Sequence, residues 1–189
     1  MQTWYDQSGS GNDAEQTTAS RQPKIVDAGD LVRSSNGNPE VDFDGTQYFE
    51  AISGGVLTNI QDTFTTYVAT RRNSDNGFVA LASSYPNRLY IWLSFITVGD
   101  PAENKTTTFV NDEQSLGTVQ GAAGSYTIHK NGAQVGTTTT DETGAGLFAL
   151  GHNNPDARIA EFIIYDSDLS PNRPAIEANI ANQYGITIS

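Results

Sequence analysis

The residue run with the clearest chemical potential is Arg88-Leu-Tyr-Ile-Trp-Leu-Ser94, which is typical of a β-strand. Side chains alternate between the two faces of a strand, so its three aliphatic residues would face a core. Arg88, Tyr90 and Trp92 would then stand together on the other face. Flat aromatic rings cover the C–H face of a sugar, and an arginine donates directional hydrogen bonds to hydroxyl groups. The run therefore predicts a carbohydrate-binding face.

A second strand-like run, Phe64–Arg71, could extend this face. The same alternation puts Tyr67 and Arg71 on one side of that run. They would join the aromatic face of the first run if the two strands are neighbours in one sheet. The alternative is that the loop Val98–Lys105 covers the aromatic rings, which would then only extend the core.

Calcium is the one metal for which the chain offers obvious ligands. Carboxylate and amide oxygens are the ligands that calcium prefers, and no run matches the spacing of an EF-hand loop. Turn chemistry explains the same residues without a metal. The sequence predicts no required cofactor and leaves calcium open, with these candidate ligands: Asp6, Asn12, Asp13, Asp42, Asp44, Asp100 and Asp112.

Composition excludes several classes of function. The 189 residues carry a formal net charge of −12, whereas nucleic acids and anionic membrane surfaces are bound by clustered Lys and Arg. No apolar run approaches the roughly 20 residues that span a bilayer, so membrane insertion is not expected. Cysteine is absent, which removes disulfides and thiolate chemistry. We expect a single domain over residues 1–189, excised from a longer protein.

The elements that must position these side chains are predominantly strands. Short apolar runs alternate with turns rich in Gly, Asn, Asp and Pro, which predicts an all-β, antiparallel two-sheet sandwich, or jelly roll. Asn131-Gly132 between two such runs indicates a type I′ hairpin. The predicted strands are Glu40–Phe43, Tyr48–Ala51, Phe64–Arg71, Phe78–Ser83, Arg88–Phe95, Thr106–Asn111, Ser125–Lys130, Ala133–Thr138, Gly146–Gly151 and Arg158–Tyr165.

One short α-helix is predicted at the C-terminal end of the chain. Ser170 would be its N-cap, Pro171–Tyr184 its body, and Gly185 its stop. An apolar stripe recurs every fourth residue along it: Ile176, Ile180 and Tyr184. Such a stripe packs against another element.

The last predicted strand has apolar side chains on both faces. Phe162 and Ile164 would fill the core, which leaves four side chains on the reverse face: Ile159, Glu161, Ile163 and Tyr165. The helix could fold back and shield this reverse face, or a subunit interface in an oligomeric fibre could cover it. Neither arrangement requires chemistry, so we expect this end of the chain to be packing.

Three segments together resemble the laminin-G-like branch of the concanavalin A-like lectin/glucanase superfamily. The opening run Trp4-Tyr-Asp-Gln-Ser-Gly-Ser-Gly-Asn-Asp-Ala14 is similar to that family's W-x-D-x-S-G-N-G-N-D loop, and Val41-Asp-Phe-Asp-Gly45 to its V-x-F-D-G hairpin. The third segment joins Tyr126–Val135, Leu147–Gly151 and Ile159–Tyr165, which are similar to its Y-x-N-G, L-x-I-G and I-x-E-x-x-I-Y elements. The closing segment resembles those of phage tail or virion proteins and secreted bacterial surface proteins.

The resemblance implies a jelly-roll sandwich, a fold that hosts lectins, adhesion modules and glycosidases alike. Glu40-Val-Asp-Phe-Asp44 is similar to the E-x-D-x-E catalytic strand of the superfamily's glucanases, in which two carboxylates flank the glycosidic bond. Its third acid is an aspartate, and Asp44-Gly45 falls at the hairpin turn of the non-catalytic motif. We therefore expect no catalysis at Glu40–Asp44.

These observations favour a non-enzymatic module that binds a cell-surface glycan or polysaccharide. Its setting would be extracellular or on a virion surface, as a phage receptor-binding domain or a secreted adhesin, with oligomerisation in a fibre left open. A structural or assembly domain without a glycan site is the first alternative. A glycoside hydrolase or lyase is the second, and it requires a cleft with two carboxylates about 5–9 Å apart.

Overall fold

The computed structural model describes residues 1–49, 63–72, 78–84, 87–92, 96–98, 110–122, 125–139, 147–151 and 156–189. At 63–64, 72, 78–84, 87–92, 96–98, 138–139 and 147–148 it describes the backbone alone. No helix in these ranges is long and apolar enough to cross a membrane.

The described elements are fourteen strands, one 3-10 turn at Ala19–Arg21 and one α-helix. The early strands are β1 (Thr3–Trp4), β2 (Ala14–Glu15), β3 (Val26–Asp27), β4 (Asp30–Leu31), β5 (Val41–Asp44), β6 (Thr63–Arg72) and β7 (Phe78–Ser84). The later elements are β8 (Asn87–Trp92), β9 (Ile96–Val98), β10 (Gln114–Ala122), β11 (Ser125–Lys130), β12 (Ala133–Thr139), β13 (Leu147–Leu150), β14 (Asp156–Tyr165) and helix α1 (Arg173–Tyr184).

Two antiparallel sheets form the body of the molecule. One has six strands in the order β12-β11-β10-β6-β14-β5, and the other has four in the order β13-β7-β8-β9. Val68 and Val119 of the larger sheet share a buried apolar cluster with Leu150 of the smaller sheet, and Phe49 bridges to Leu150 by a backbone hydrogen bond of 2.8 Å. The core therefore lies between the two sheets, which confirms the predicted sandwich.

The predicted hairpin at Asn131-Gly132 is present. It joins β11 to β12, and both of its residues have positive φ angles, 49° and 87°. Strand β10 was not predicted because its sequence, Gln-Ser-Leu-Gly-Thr-Val-Gln-Gly-Ala, is rich in residues with low strand propensity. Pairing on both sides, with β6 and with β11, specifies this strand instead. Most of the predicted strand Thr106–Asn111 lies outside the described residues.

Helix α1 covers the outer face of the six-stranded sheet. Ile180 and Ala181 pack there with Tyr67 and Leu116 in a second apolar cluster, to which Ile163 also belongs. The predicted helix stripe is therefore confirmed as packing, since Ile176 and Tyr184 contact the same cluster. The helix therefore shields Ile163 on the reverse face of β14, as one of the two proposed arrangements requires, but it leaves Tyr165 on the same face 37% exposed.

The start of the helix differs from the prediction. The helix begins at Arg173 with Asn172 as its N-cap, because a turn in which Leu169 accepts hydrogen bonds from the backbone N–H groups of Asn172 and Arg173 precedes it. The Ser170 hydroxyl donates to Asp168 and caps nothing. Gly185 ends the helix in the left-handed conformation, with φ of 69°, as predicted.

Strand β14 contains a β-bulge next to Glu161. The pairing of β14 with β6 shifts between Ile159 and Glu161, so Ala160 is an extra residue. Ile159 consequently joins the inner core, which corrects its predicted place on the reverse face, while Phe162 and Ile164 contact the core as expected. Strand β5 pairs only with Asp156–Ile159. In the described part of the chain, β14 beyond the bulge has one unpaired edge.

Candidate functional site

The loop between β1 and β2 is built around the carboxylate of Asp6. The backbone N–H groups of Ser8 and Asn12 donate to its two oxygens at 2.7 and 3.0 Å, and the Ser8 hydroxyl donates at 2.9 Å. The backbone N–H of Asp6 in turn donates to Asp13 at 2.8 Å. The hydrogen bond from the Asn12 N–H, followed by those from Ser8, lowers the pKa of Asp6 to about 2. The loop is thus ordered around a carboxylate that is ionised at neutral pH.

A groove of about 760 Å³ separates this loop from the unpaired edge of β14. One wall is the loop from Trp4 to Asn12, the opposite wall is Ala160–Asp166, and Tyr184 of α1 closes one side. This volume lies within the range of small-molecule and sugar sites. The bulge and the early end of β5 leave the edge of β14 open, so they are the direct cause of the groove.

Two tyrosines give the groove exposed aromatic surface. Tyr5 is 66% exposed, and Tyr165 is 37% exposed with its ring packed edge-on against Tyr67 at 6.3 Å. Trp4 also lines the groove, with its ring 6.1 Å from that of Phe49. Trp4 therefore packs against the core, whereas Tyr5 does not. The Tyr165 ring, held by its contact with Tyr67, offers a stacking surface.

Glu161 and Tyr184 form the chemically distinctive pair in the groove. Burial raises the pKa of Glu161, and a hydrogen bond with Tyr184 offsets part of that effect. Burial, followed by the negative charge of Glu161, raises the pKa of Tyr184 to about 12. The Tyr184 hydroxyl lies 3.3 Å from the Ala160 carbonyl oxygen, to which its single proton is donated in this structure. A carboxyl group whose pKa is raised in a concave site is suited to general acid catalysis.

The carboxylates of Glu40–Asp44 are structural. Glu40 is buried, with its carboxylate 4.0 Å from the Arg71 guanidinium, and burial raises its pKa. Asp42 accepts a hydrogen bond of 2.9 Å from Arg158. Asp44 sits at the turn, where the Thr46 hydroxyl donates to it at 3.1 Å. These contacts tie β5 to β6 and β14, and no residue of Glu40–Asp44 lines the groove.

The structure does not bring the predicted binding residues onto one sheet. Arg88, Tyr90 and Trp92 lie on β8 of the four-stranded sheet, and their side chains lie outside the described part of the structure. Tyr67 and Arg71 lie on β6 of the other sheet, whose neighbours are β10 and β14. Tyr67 and Arg71 therefore do not extend the predicted sugar-binding face of β8, because β6 and β8 are not neighbours in one sheet. Tyr67 is 1% exposed beneath α1, and Arg71 faces Glu40.

Four of the candidate calcium ligands, Asp6, Asp13, Asp42 and Asp44, are engaged by protein donors. The Oδ1 of Asn12 is buried and has no hydrogen-bond partner within the described part of the chain. Asp6 and Asp13 accept hydrogen bonds from the opening loop, and Asp42 faces Arg158. Among the described residues, no group of three or more His, Cys, Asp or Glu side chains could hold a metal ion. Asp100 lies outside the described residues. Calcium binding stays a prediction.

Sequence reasoning missed the groove because no local pattern encodes it. The closing strand was expected to carry packing alone, yet Glu161 and Tyr165 lie on it and Tyr184 on the following helix. The sequence signal that could have pointed to the groove was Glu161, an acid within an apolar strand. Burying an acid is unfavourable, so such a residue needs a specific explanation. Its partners come from loop and helix positions that only the tertiary fold brings together.

No protein-family model and no curated protein sequence matches this chain. Solved structures do resemble it. Domain 4 of AbnA, a GH43 extracellular arabinanase from Geobacillus stearothermophilus, in complex with arabinotriose, has a TM-score of 0.61 and 13% identity, covering 82% of this chain and 80% of that one. A PL7 alginate lyase, AlgAT5, has a TM-score of 0.52 and 10% identity over 83% of this chain and 90% of that one.

A mutant of a GH54 α-L-arabinofuranosidase soaked with 4-nitrophenyl α-L-arabinofuranoside is also similar, with a TM-score of 0.65 and 13% identity over 97% of this chain. The present chain spans 51% of the length of that protein. At these identities the likeness shows the fold, a concanavalin-like β-sandwich. The expectation of a non-enzymatic module is nonetheless contradicted, because these neighbours are glycoside hydrolases, or a domain of one, and a polysaccharide lyase.

Proposed function

We propose that this chain is a carbohydrate-processing domain that hydrolyses glycosidic bonds in the groove along β14. The observation that carries the proposal is the Glu161 carboxyl, half-buried with a raised pKa, in a groove that also presents exposed tyrosines. The similarity of the fold to carbohydrate-processing proteins supports it. The geometry of the groove and the similarity of the fold therefore favour the hydrolase alternative over the non-enzymatic module that the sequence predicts.

Glu161 is the proton donor in this proposal. Glycoside hydrolysis needs a carboxylic acid that gives its proton to the leaving oxygen as the glycosidic C–O bond breaks. Water then adds to the anomeric carbon and gives its proton to the carboxylate formed in the first step, which restores the acid. Tyr184 contacts Glu161 and holds the carboxyl group in place. Tyr5 and Tyr165 supply the surfaces on which sugar rings stack.

Asp6 is the ionised carboxylate of the same groove. Paired acids whose environments push their pKa values apart are typical of this chemistry, and the pKa of Asp6 is lowered while that of Glu161 is raised. Both oxygens of Asp6 accept hydrogen bonds from its own loop. We therefore assign Asp6 to electrostatic stabilisation of the positive charge that develops on the sugar ring, and not to nucleophilic attack.

The wider setting follows from the sequence motifs. We infer that this is a secreted surface protein or a phage tail protein with a laminin-G-like sandwich, acting outside the cell on a surface glycan or polysaccharide. Arg88, Tyr90 and Trp92 would supply an additional sugar-binding face on the four-stranded sheet. If calcium binds, we expect the Asp and Asn residues of the loops to hold it.

Reducing-end release from a panel of polysaccharides and chromogenic glycosides tests the proposal. The wild-type protein is expected to cleave at least one glycan, and Glu161→Gln to lower the rate by about 10²–10⁴-fold, the usual contribution of general acid catalysis. Glu113→Gln is the matched control, because Glu113 is exposed and lies outside the groove. A folded Glu161→Gln protein with wild-type activity would contradict the assignment, as would a wild-type protein inactive on every glycan.

A further inference from the structure

The charge of the groove carries information about which glycans can enter it. Asp6, Glu161 and Asp166 line it, and none of its described lining residues is Lys, Arg or His. We propose that the groove selects uncharged sugars and rejects uronates and sialates. This inference rests on the proposed function and names the substrate class of the same site.

A bound anionic sugar would lack a counterion. Recognition of a carboxylate in a partly dry site calls for an arginine or lysine within hydrogen-bonding distance. Arg158 is the nearest arginine along β14, and its guanidinium is 2.9 Å from the Asp42 carboxylate, at the end of the strand that β5 pairs. Arg71 faces Glu40. Among the side chains that the structure describes, Arg71 and Arg158 are therefore already paired.

The acids that line the groove would repel an anionic ligand. The pKa of Asp6 is about 2, so its carboxylate stays ionised throughout the physiological range, and Asp166 is exposed at the far end of the groove. Each uncompensated repulsion of this kind is expected to weaken binding about tenfold at low ionic strength. A neutral sugar meets no such penalty, since carboxylates accept hydrogen bonds from hydroxyl groups and the tyrosine rings stack on C–H faces.

Calorimetric titration of the Glu161→Gln protein, which still carries Asp6 and Asp166, tests this selectivity. The probes are three neutral trisaccharides (arabinotriose, xylotriose and cellotriose) and three anionic ones (trigalacturonate, triguluronate and sialyllactose), each at low and at high salt. The tightest ligand is expected to be neutral, by at least tenfold over every anionic probe, with a gap that narrows in high salt.

Removing the charge of Asp166 tests the source of this selectivity. In the Glu161→Gln background, Asp166→Asn is expected to improve binding of the anionic probes several-fold relative to binding of the neutral ones. Asp112→Asn is the matched control, because Asp112 is exposed, lies outside the groove and has a positive φ that asparagine accepts. Tightest binding of an anionic probe would overturn the inference and leave the hydrolase proposal standing. Neutral binding by a protein that cleaves nothing would overturn the proposed function alone.

Discussion

Replacing Ile180 by alanine tests whether helix α1 is docked on the outer sheet face. Ile180 is 3% exposed and packs in the cluster that contains Tyr67 and Leu116. The substitution removes about three methylene equivalents, worth roughly 2.4 kcal/mol of transfer free energy, and the remaining cavity adds to that loss. We expect the free energy of unfolding to fall by about 3 kcal/mol.

Urea unfolding followed by circular dichroism measures this loss, and thermal unfolding checks it. For a chain of this length, about 3 kcal/mol corresponds to a fall in Tm of roughly 6–12 °C. Asn179→Ala is the matched control, since Asn179 is exposed on the same helix and should change the unfolding free energy by no more than about 0.5 kcal/mol. Equal stabilities of the Ile180→Ala and Asn179→Ala proteins would refute the docked helix.

Three further predictions concern Gly151, Asp6 and Glu161. Gly151→Ala should destabilise by about 2–4 kcal/mol, since a Cβ there would lie 2.3 Å from the Phe43 ring at a φ of +75°; chemical denaturation measures it. Asp6→Asn should cost about 1 kcal/mol after allowance for solvent screening. That cost should be full above pH 3.8, the ordinary pKa, and vanish as the pH falls through about 2, as denaturation at pH 2 and pH 7 would show. The pKa of Glu161 is raised, so its pH dependence has the opposite sign. The stability of the wild-type protein relative to Glu161→Gln should fall as the pH rises above 4.5, the ordinary pKa. Activity should also decline on the alkaline side as Glu161 ionises. A pH-independent difference would contradict the environment described for either acid.

Local patterns in the chain were sufficient to predict the sandwich and its C-terminal helix. Asn131-Gly132 specifies a turn by its own backbone preferences, and the stripe ending at Tyr184 specifies a buried helix face by its period. Strand β10 could not be predicted in this way, since pairing with β6 and β11 overrides its weak propensity.

The candidate site could not be predicted because it depends on where pairing stops. One extra residue, Ala160, changes which face Ile159 occupies and separates Glu161 from the part of β14 that β5 covers. Alternation of apolar and polar residues carries no record of a bulge. The sequence therefore predicts a site at the aromatic residues of β8, whereas the groove lies beside β14, a strand that was expected only to pack.

The structure of the Glu161→Gln protein with a bound neutral oligosaccharide would show directly whether the groove is the sugar site. We expect the sugar to lie in the groove along β14, with a ring stacked on Tyr5 or Tyr165 and a glycosidic oxygen within about 3 Å of the side chain at position 161. A sugar bound instead on the four-stranded sheet beside Arg88, Tyr90 and Trp92, with the groove empty, would contradict this expectation.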